Sequence, residues 1–249
     1  MHDTLHSYVS CVKMLSVMEA AHMTTTMVHE PPRPDVRERL LSAAELACAA
    51  WIVVGHNVFR IFPNEVPILA VIALVSARLM RGGFATLGFI RPASWRRVVL
   101  LALGFVIVRW TAGFAIEAIT AQFWPAIVAP KGADRIVGHP MAALAALGIV
   151  WTFAAFGEEI GYRGFVLGRE AQALGGGRAA WIAGVVVAGV LFGFGHFYKG
   201  PAGVLDSSVA GLLLGAVYLL SGRCLWTCIL AHGLSDTLAV VLGYLGLNS

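Results

Sequence analysis

From Leu40 to the C-terminus the chain is a succession of apolar runs, separated only by short basic stretches or by Gly and Pro. This feature constrains the fold more than any other. A helix needs about 20 apolar residues to cross roughly 30 Å of hydrocarbon, and repeated runs of that length have no soluble core to fill. Seven are readable, at residues 40–61, 66–80, 98–119, 141 to beyond 157, 179–197, 203–220 and 225–247. The second is the shortest and contains Pro67. Composition agrees: AVILMFWYC make up 58% of the chain and DEKR only 13%, against about 25% charged in soluble domains. The expected fold class is all-α, a polytopic transmembrane helix bundle of about seven spans.

Residues 1–39 differ from the rest, mixing His, Thr, Met and acidic residues before Pro31-Pro32-Arg33-Pro34. Lys13 and Glu19 interrupt their one weakly apolar stretch, so they predict a mobile leader and not a signal peptide. Met23 and Met27 are alternative starts. The domain proper is then residues 40–249. The histidines at 2, 6, 22 and 29 lack ligand spacing. Cys11, Cys48, Cys224 and Cys228 form no CxxC pair, and the last two share an apolar helix face, where packing is the expectation.

The net charge of +4 reads as topology, not as a nucleic-acid partner. Arg33, Arg37 and Arg39 precede span one; Arg78, Arg81, Arg91, Arg96 and Arg97 follow span two; Arg163, Arg169 and Arg178 follow span four; Arg223 follows span six. Arg60, Lys131, Arg135 and Lys199 lie on the other side. The positive-inside rule places the N-terminus in the cytoplasm. Residues 121–140, with Trp124, Pro125, Lys131, Asp134 and Arg135, predict an interfacial loop.

Ionisable groups at membrane depth are costly and point to function. Three clusters stand there. Glu158-Glu159-x-x-x-Arg163 follows residues 136–157, which contain no Asp, Glu, Lys or Arg. Glu159 and Arg163 are one turn apart and can pair, which lowers the cost of burying both. Glu158 points elsewhere and has no cation of its own, which suits it to proton transfer. Phe192-x-x-x-His196 ends span five, and His232-x-x-x-Asp236 puts an imidazole and a carboxylate on one face of span seven. Taken singly, a membrane histidine or an HxxxD pair is as readily polar glue between helices.

The first two clusters can meet. Gly175-Gly176-Gly177 supplies a bend, and Glu158 and His196 are each nineteen residues from Gly177. Equal distances in an antiparallel hairpin mean equal depth, about 28 Å from the bend at 1.5 Å per residue. Glycines 184, 189, 193 and 195 allow close helix approach. His56, Asn57 and Arg60 read as the end of span one and Glu45 as its cytoplasmic start. Arg109 and Glu117, two turns apart, face either the cavity or neighbouring helices. Tyr162 is a candidate substrate contact.

In this order on spans four, five and seven, EExxxR, FxxxH and HxxxD resemble the CPBP intramembrane proteases, the CAAX-processing and bacteriocin-processing group also called Abi. The resemblance spans about residues 40–247 in topology. It implies that Glu158 activates a water for attack on a peptide carbonyl, that His196 orients the water or moves its proton, and that His232 and Asp236 stabilise the tetrahedral oxyanion. Glu159 and Arg163 support them. The eukaryotic CAAX pattern has Asn where this chain has Asp236, a variation familiar in bacterial relatives. An ionised Asp cannot donate a hydrogen bond, so Asp236 either stays protonated or orients His232. There is no HExxH motif, and the expectation is catalysis without a cofactor or metal. If a divalent metal such as zinc is held, Glu158, His196 and His232 are its ligands.

The leading expectation is an intramembrane endopeptidase, a bundle enclosing a polar catalytic cavity in the cytoplasmic membrane of a bacterium. Its partners are the lipid bilayer and a membrane-associated protein or peptide substrate, whose identity the sequence leaves open, as it does oligomeric state. Two other classes also place Glu, His and Asp in a bilayer. An ion- or proton-coupled transporter is disfavoured because no duplicated halves or paired broken helices are visible. A non-catalytic immunity or scaffold protein would use the same groups only to hold helices together.

Overall fold

The computed structural model describes residues 34–80, 82–127 and 133–247. The expected leader therefore lies outside the described residues as far as Arg33. Among the described residues there is no strand, and the chain forms helical rods joined by short turns. These are α1 (Val36–Asn57), α2 (Glu65–Leu79), α3 (Trp95–Thr120), α4 (Pro140–Ala173), α5 (Arg178–Phe194), α6 (Gly200–Leu220) and α7 (Leu225–Tyr244). Five of them, α1, α3, α4, α6 with its preceding turn, and α7, are long and apolar enough to cross a membrane. The helices α2 and α5 are shorter, at 15 and 17 residues.

Local chemistry sets the boundaries. Helix α1 starts at Val36, ahead of its apolar run, because Asp35 and Glu38 form a reciprocal cap: Glu38 N–H donates to Asp35 Oδ1 at 2.8 Å and Asp35 N–H donates to Glu38 Oε2 at 3.1 Å. Asn64 caps α2 through the Val66 N–H at 2.9 Å, and Pro140 opens α4 where its missing N–H is harmless. The expected bend is present, with Gly175 and Gly176 at φ of +94° and +77°, conformations that glycine adopts without the Cβ penalty. In the expected interfacial loop, residues 133–136 form a short 3-10 turn and Gly138 N–H donates to the Tyr244 carbonyl at 3.0 Å. Residues 128–132 of that loop lie outside the described residues.

Helices α5 and α6 pack almost backbone to backbone. A Cβ placed on Gly211 would lie 2.8 Å from Gly189 Cα, and one on Gly193 would lie 2.7 Å from the Val204 carbonyl oxygen. Gly184 meets the α4 backbone in the same way, 2.7 Å from the Leu167 carbonyl oxygen. Without side chains between them the helices gain dispersion contacts that lipid cannot match.

The centre of α4 departs from the α geometry assumed from spacing. Residues Val150–Val166 form a π segment, whose i→i+5 bonding widens the turn. Gly157, Gly161 and Gly164 face Val66, Leu69 and Leu87 closely, so α2 and the following turn seat directly on this segment. Near its C-terminal end, Arg169 is 2% exposed and is not a free loop charge. It pairs with Glu45 of α1, donates to Ser76 of α2 at 2.8 Å and reaches Gln172 at 2.7 Å.

Candidate active site

The π segment delivers Glu158, Glu159, Tyr162 and Arg163 together. Arg163, 1% exposed, donates to Glu159 Oε1 at 2.8 Å, and Glu159 is fully buried. The pairing expected from the i,i+4 spacing is made despite the wider turn. Glu159 has a second partner that the sequence did not disclose, since His232 Nδ1 lies 2.7 Å from the same Oε1. A carboxylate accepts and never donates, so this ring nitrogen carries the proton. His232 Nε2 in turn faces Asp236 Oδ2 at 3.5 Å. The result is a continuous polar chain, Arg163–Glu159–His232–Asp236, linking α4 to α7.

Phe192, 3% exposed, is the apolar hub of the cluster. Arg163 lies over its ring at 4.3 Å from the centroid. The rings of Tyr162, His196 and His232 stand 5.1, 4.7 and 6.0 Å from it. His196 Nδ1 lies 2.9 Å from the Phe192 carbonyl oxygen. Because that oxygen can only accept, Nδ1 is the donor, and in the neutral ring Nε2 is left as an acceptor.

His196, His232 and Asp236 wall one cavity of about 80 Å³, together with Phe105 and Arg109 of α3, Phe192, Lys199, Ser207, Ala210, Leu214 and Ser235. At 10–15 Å³ per probe sphere it has room for roughly half a dozen waters. Glu158 is not on that wall. It lies within electrostatic range of His232, Asp236, Glu159 and Arg163. Its Oε2 is buried and lacks a hydrogen-bond partner among the described residues, as does the Tyr162 hydroxyl. A buried oxygen of this kind is ordinarily satisfied by an ordered water.

Two cavity residues were missed or only half read. Arg109 lines the cavity, and its partner is Asp206 of α6 at 2.5 Å. Asp206, 6% exposed, is the only acidic residue of α6, and that isolation was the available signal. The candidate metal set fares differently. Both ring nitrogens of His232 face carboxylates and His196 Nδ1 is held by a carbonyl. Among the described residues no group of three His, Cys, Asp or Glu side chains is arranged to hold a metal ion. Glu158, His196 and His232 therefore do not fit a catalytic zinc site, which needs three converging ligands.

No curated protein and no solved structure matches the chain. Residues 140–238, which carry every position of the three motifs, match the family model of the type II CAAX prenyl endopeptidase, Rce1-like proteins, and this match bears out the resemblance to the CPBP proteases.

Proposed function

We propose that the protein is a CAAX-type intramembrane endopeptidase that hydrolyses a peptide bond of a membrane-associated protein or peptide. One observation carries this reading: the two adjacent carboxylates are used differently. Glu159 holds both Arg163 and His232 on its Oε1 and leaves a buried Oε2 without a partner, whereas neither oxygen of Glu158 has a hydrogen-bond or ion-pair partner among the described residues, and its Oε2 is buried beside the same cluster. In this reading a water on Glu158 attacks the scissile carbonyl, Glu158 takes its proton, and His196 Nε2 accepts a hydrogen bond that fixes its direction. Collapse of the tetrahedral intermediate breaks the C–N bond, and Glu158 returns the proton to the leaving amine. His232 is kept in position by Glu159 and Asp236. No metal takes part in these steps.

The bundle crosses the membrane seven times. Helices α2 and α5 rise only about 22 and 26 Å at 1.5 Å per residue, somewhat less than the hydrocarbon thickness, and local thinning of the bilayer accommodates them. Arg163 and Arg169 leave the tally of topology charges because they are buried. Arg37, Arg39, Arg78, Arg91, Arg96, Arg97, Arg178 and Arg223 still lie on one side, which supports a cytoplasmic N-terminus. The Asp236 variation supports a bacterial cytoplasmic membrane as the setting.

Glu158→Gln keeps the side-chain volume and removes the base. Terminus-resolved mass spectrometry of membranes carrying the wild type or this variant is expected to reveal new termini that only the wild type produces. Identical termini from both would remove Glu158 from the role and the proteolytic reading with it.

A further inference from the structure

The tetrahedral intermediate of the proposed hydrolysis develops a negative oxygen, and the residues expected to receive it are poorly placed to do so. An ionised Asp236 has no proton to donate, and negative charge near a growing oxyanion is unfavourable. His232 has its Nδ1 on Glu159 at 2.7 Å, and its Nε2 is turned towards the Asp236 carboxylate, 3.5 Å away. His196 presents an acceptor. Of the two cations on the cavity wall, Arg109 is bound to Asp206 at 2.5 Å.

Lys199 is the other. Among the described residues no carboxylate lies within 4.0 Å of its ammonium, and its recorded side-chain partner is the Tyr198 ring, 5.9 Å from Nζ to the centroid. Phe197–Lys199 forms a 3-10 turn closed by the Lys199 N–H on the His196 carbonyl at 2.9 Å, and in such a turn side chains three apart eclipse one another. Lys199 and His196, the group proposed to direct the water, line the same cavity. It also occupies the N-cap of α6 with no side-chain cap bond. A cation is disfavoured there, because the helix N-terminus is itself electropositive. A local rule broken without visible structural compensation is expected at a functional site.

We propose that the Lys199 ammonium is a catalytic residue that donates to the oxyanion. This rests on the proteolytic reading above. Water adds to the carbonyl carbon, its proton passes to Glu158, and the carbonyl oxygen takes the negative charge against Lys199 Nζ–H. When the C–N bond breaks the oxygen re-forms the carbonyl, the amine takes the proton from Glu158, and Lys199 ends as it began.

The test compares full-length wild type, Glu158→Gln, Lys199→Met and Lys199→Arg. Membranes are first surveyed by terminus-resolved mass spectrometry for Glu158-dependent cleavage. A peptide spanning one such site, in phosphatidylglycerol–phosphatidylethanolamine vesicles, is then used to measure kcat and KM. Lys199→Met is expected to lower kcat about 100-fold, the usual effect of losing one oxyanion donor, with KM nearly unchanged. Lys199→Arg is expected to restore a large part. An unchanged thermal midpoint shows that the loss is chemical, and if Lys199→Met does not fold, Lys199→Gln takes its place. A Lys199→Met or Lys199→Gln enzyme with wild-type kcat, or one impaired only in KM, overturns the role of Lys199 while leaving the function intact. Absence of any Glu158-dependent cleavage overturns both.

Discussion

Replacing Arg163 by Leu would leave Glu159 fully buried with one of its two partners gone. The guanidinium is 1% exposed, donates to Glu159 at 2.8 Å, reaches the Gly211 carbonyl at 3.4 Å and covers the Phe192 ring at 4.3 Å. Breaking a buried ion pair from one side costs about 3–5 kcal/mol, because the remaining charge is left in a low-dielectric site. Loss of the cation–π contact adds about 0.5–2 kcal/mol. The surviving His232 contact at 2.7 Å offsets part of this, so a net loss of about 3–5 kcal/mol is expected. For a chain of this size each kcal/mol moves the thermal midpoint by about 2–4 °C, so the shift is roughly 6–20 °C. The assay is thermal unfolding of the purified protein in one detergent, with Glu159→Gln and the Glu159→Gln/Arg163→Leu double variant completing the cycle. The double variant is expected to be more stable than Arg163→Leu alone, since it removes the stranded charge. A midpoint for Arg163→Leu within about 2 °C of wild type, or losses that simply add, would refute the buried pair as a structural element.

Two further substitutions test the packing and the second ion pair. Gly211→Ala places a methyl 2.8 Å from Gly189 Cα and 3.0 Å from its carbonyl oxygen. Backbone cannot rotate away, so a loss of about 1–3 kcal/mol is expected, read as a lowered midpoint. Gly168→Ala meets nothing within 4 Å and is the control, neutral or stabilising by up to about 1 kcal/mol. Arg109→Leu leaves Asp206, already carrying one unpartnered oxygen, without its cation. It is expected to lose about 1–3 kcal/mol, and Arg109→Leu/Asp206→Leu to regain most of it; a double variant no more stable than the single one would count against the pair.

What could be read from the sequence was what depends on spacing along one element. The i,i+4 separation of Glu159 and Arg163, the glycine bend before α5, the apolar character of the runs and the close approaches at Gly184, Gly189 and Gly193 all follow from local periodicity. The partners that bridge elements did not. Nothing in the spacing pairs Glu159 with His232, seventy-three positions away, or Arg109 with Asp206, ninety-seven away. The same limit applies to Arg169, which reads as a loop cation because it follows an apolar run and is instead clamped to Glu45 and Ser76. The equal-depth argument for Glu158 and His196 assumed a uniform α rise and rotation. The π segment over Val150–Val166 changes both, and Glu158 does not share the cavity wall with His196.

Those bridging pairs also explain why two acidic residues stand side by side at membrane depth, where even one is expensive. Glu159 is bound on one oxygen by Arg163 of its own segment and by His232 of α7, so its charge is spent in tying α4 to α7. A single carboxylate could not serve both ends. Ion-paired from two sides it would be a weak base, and unpaired it would leave Arg163 and His232 without their common acceptor. Duplication separates the tasks: Glu159 fixes the geometry through its Oε1, and Glu158, held one residue away by the same backbone, has neither oxygen engaged by a protein partner among the described residues. The neighbouring positions are therefore not interchangeable. Glu159→Gln is expected to register first in stability, and Glu158→Gln in turnover with the fold intact. The opposite pattern would mean that the structural and chemical carboxylates have been assigned the wrong way round.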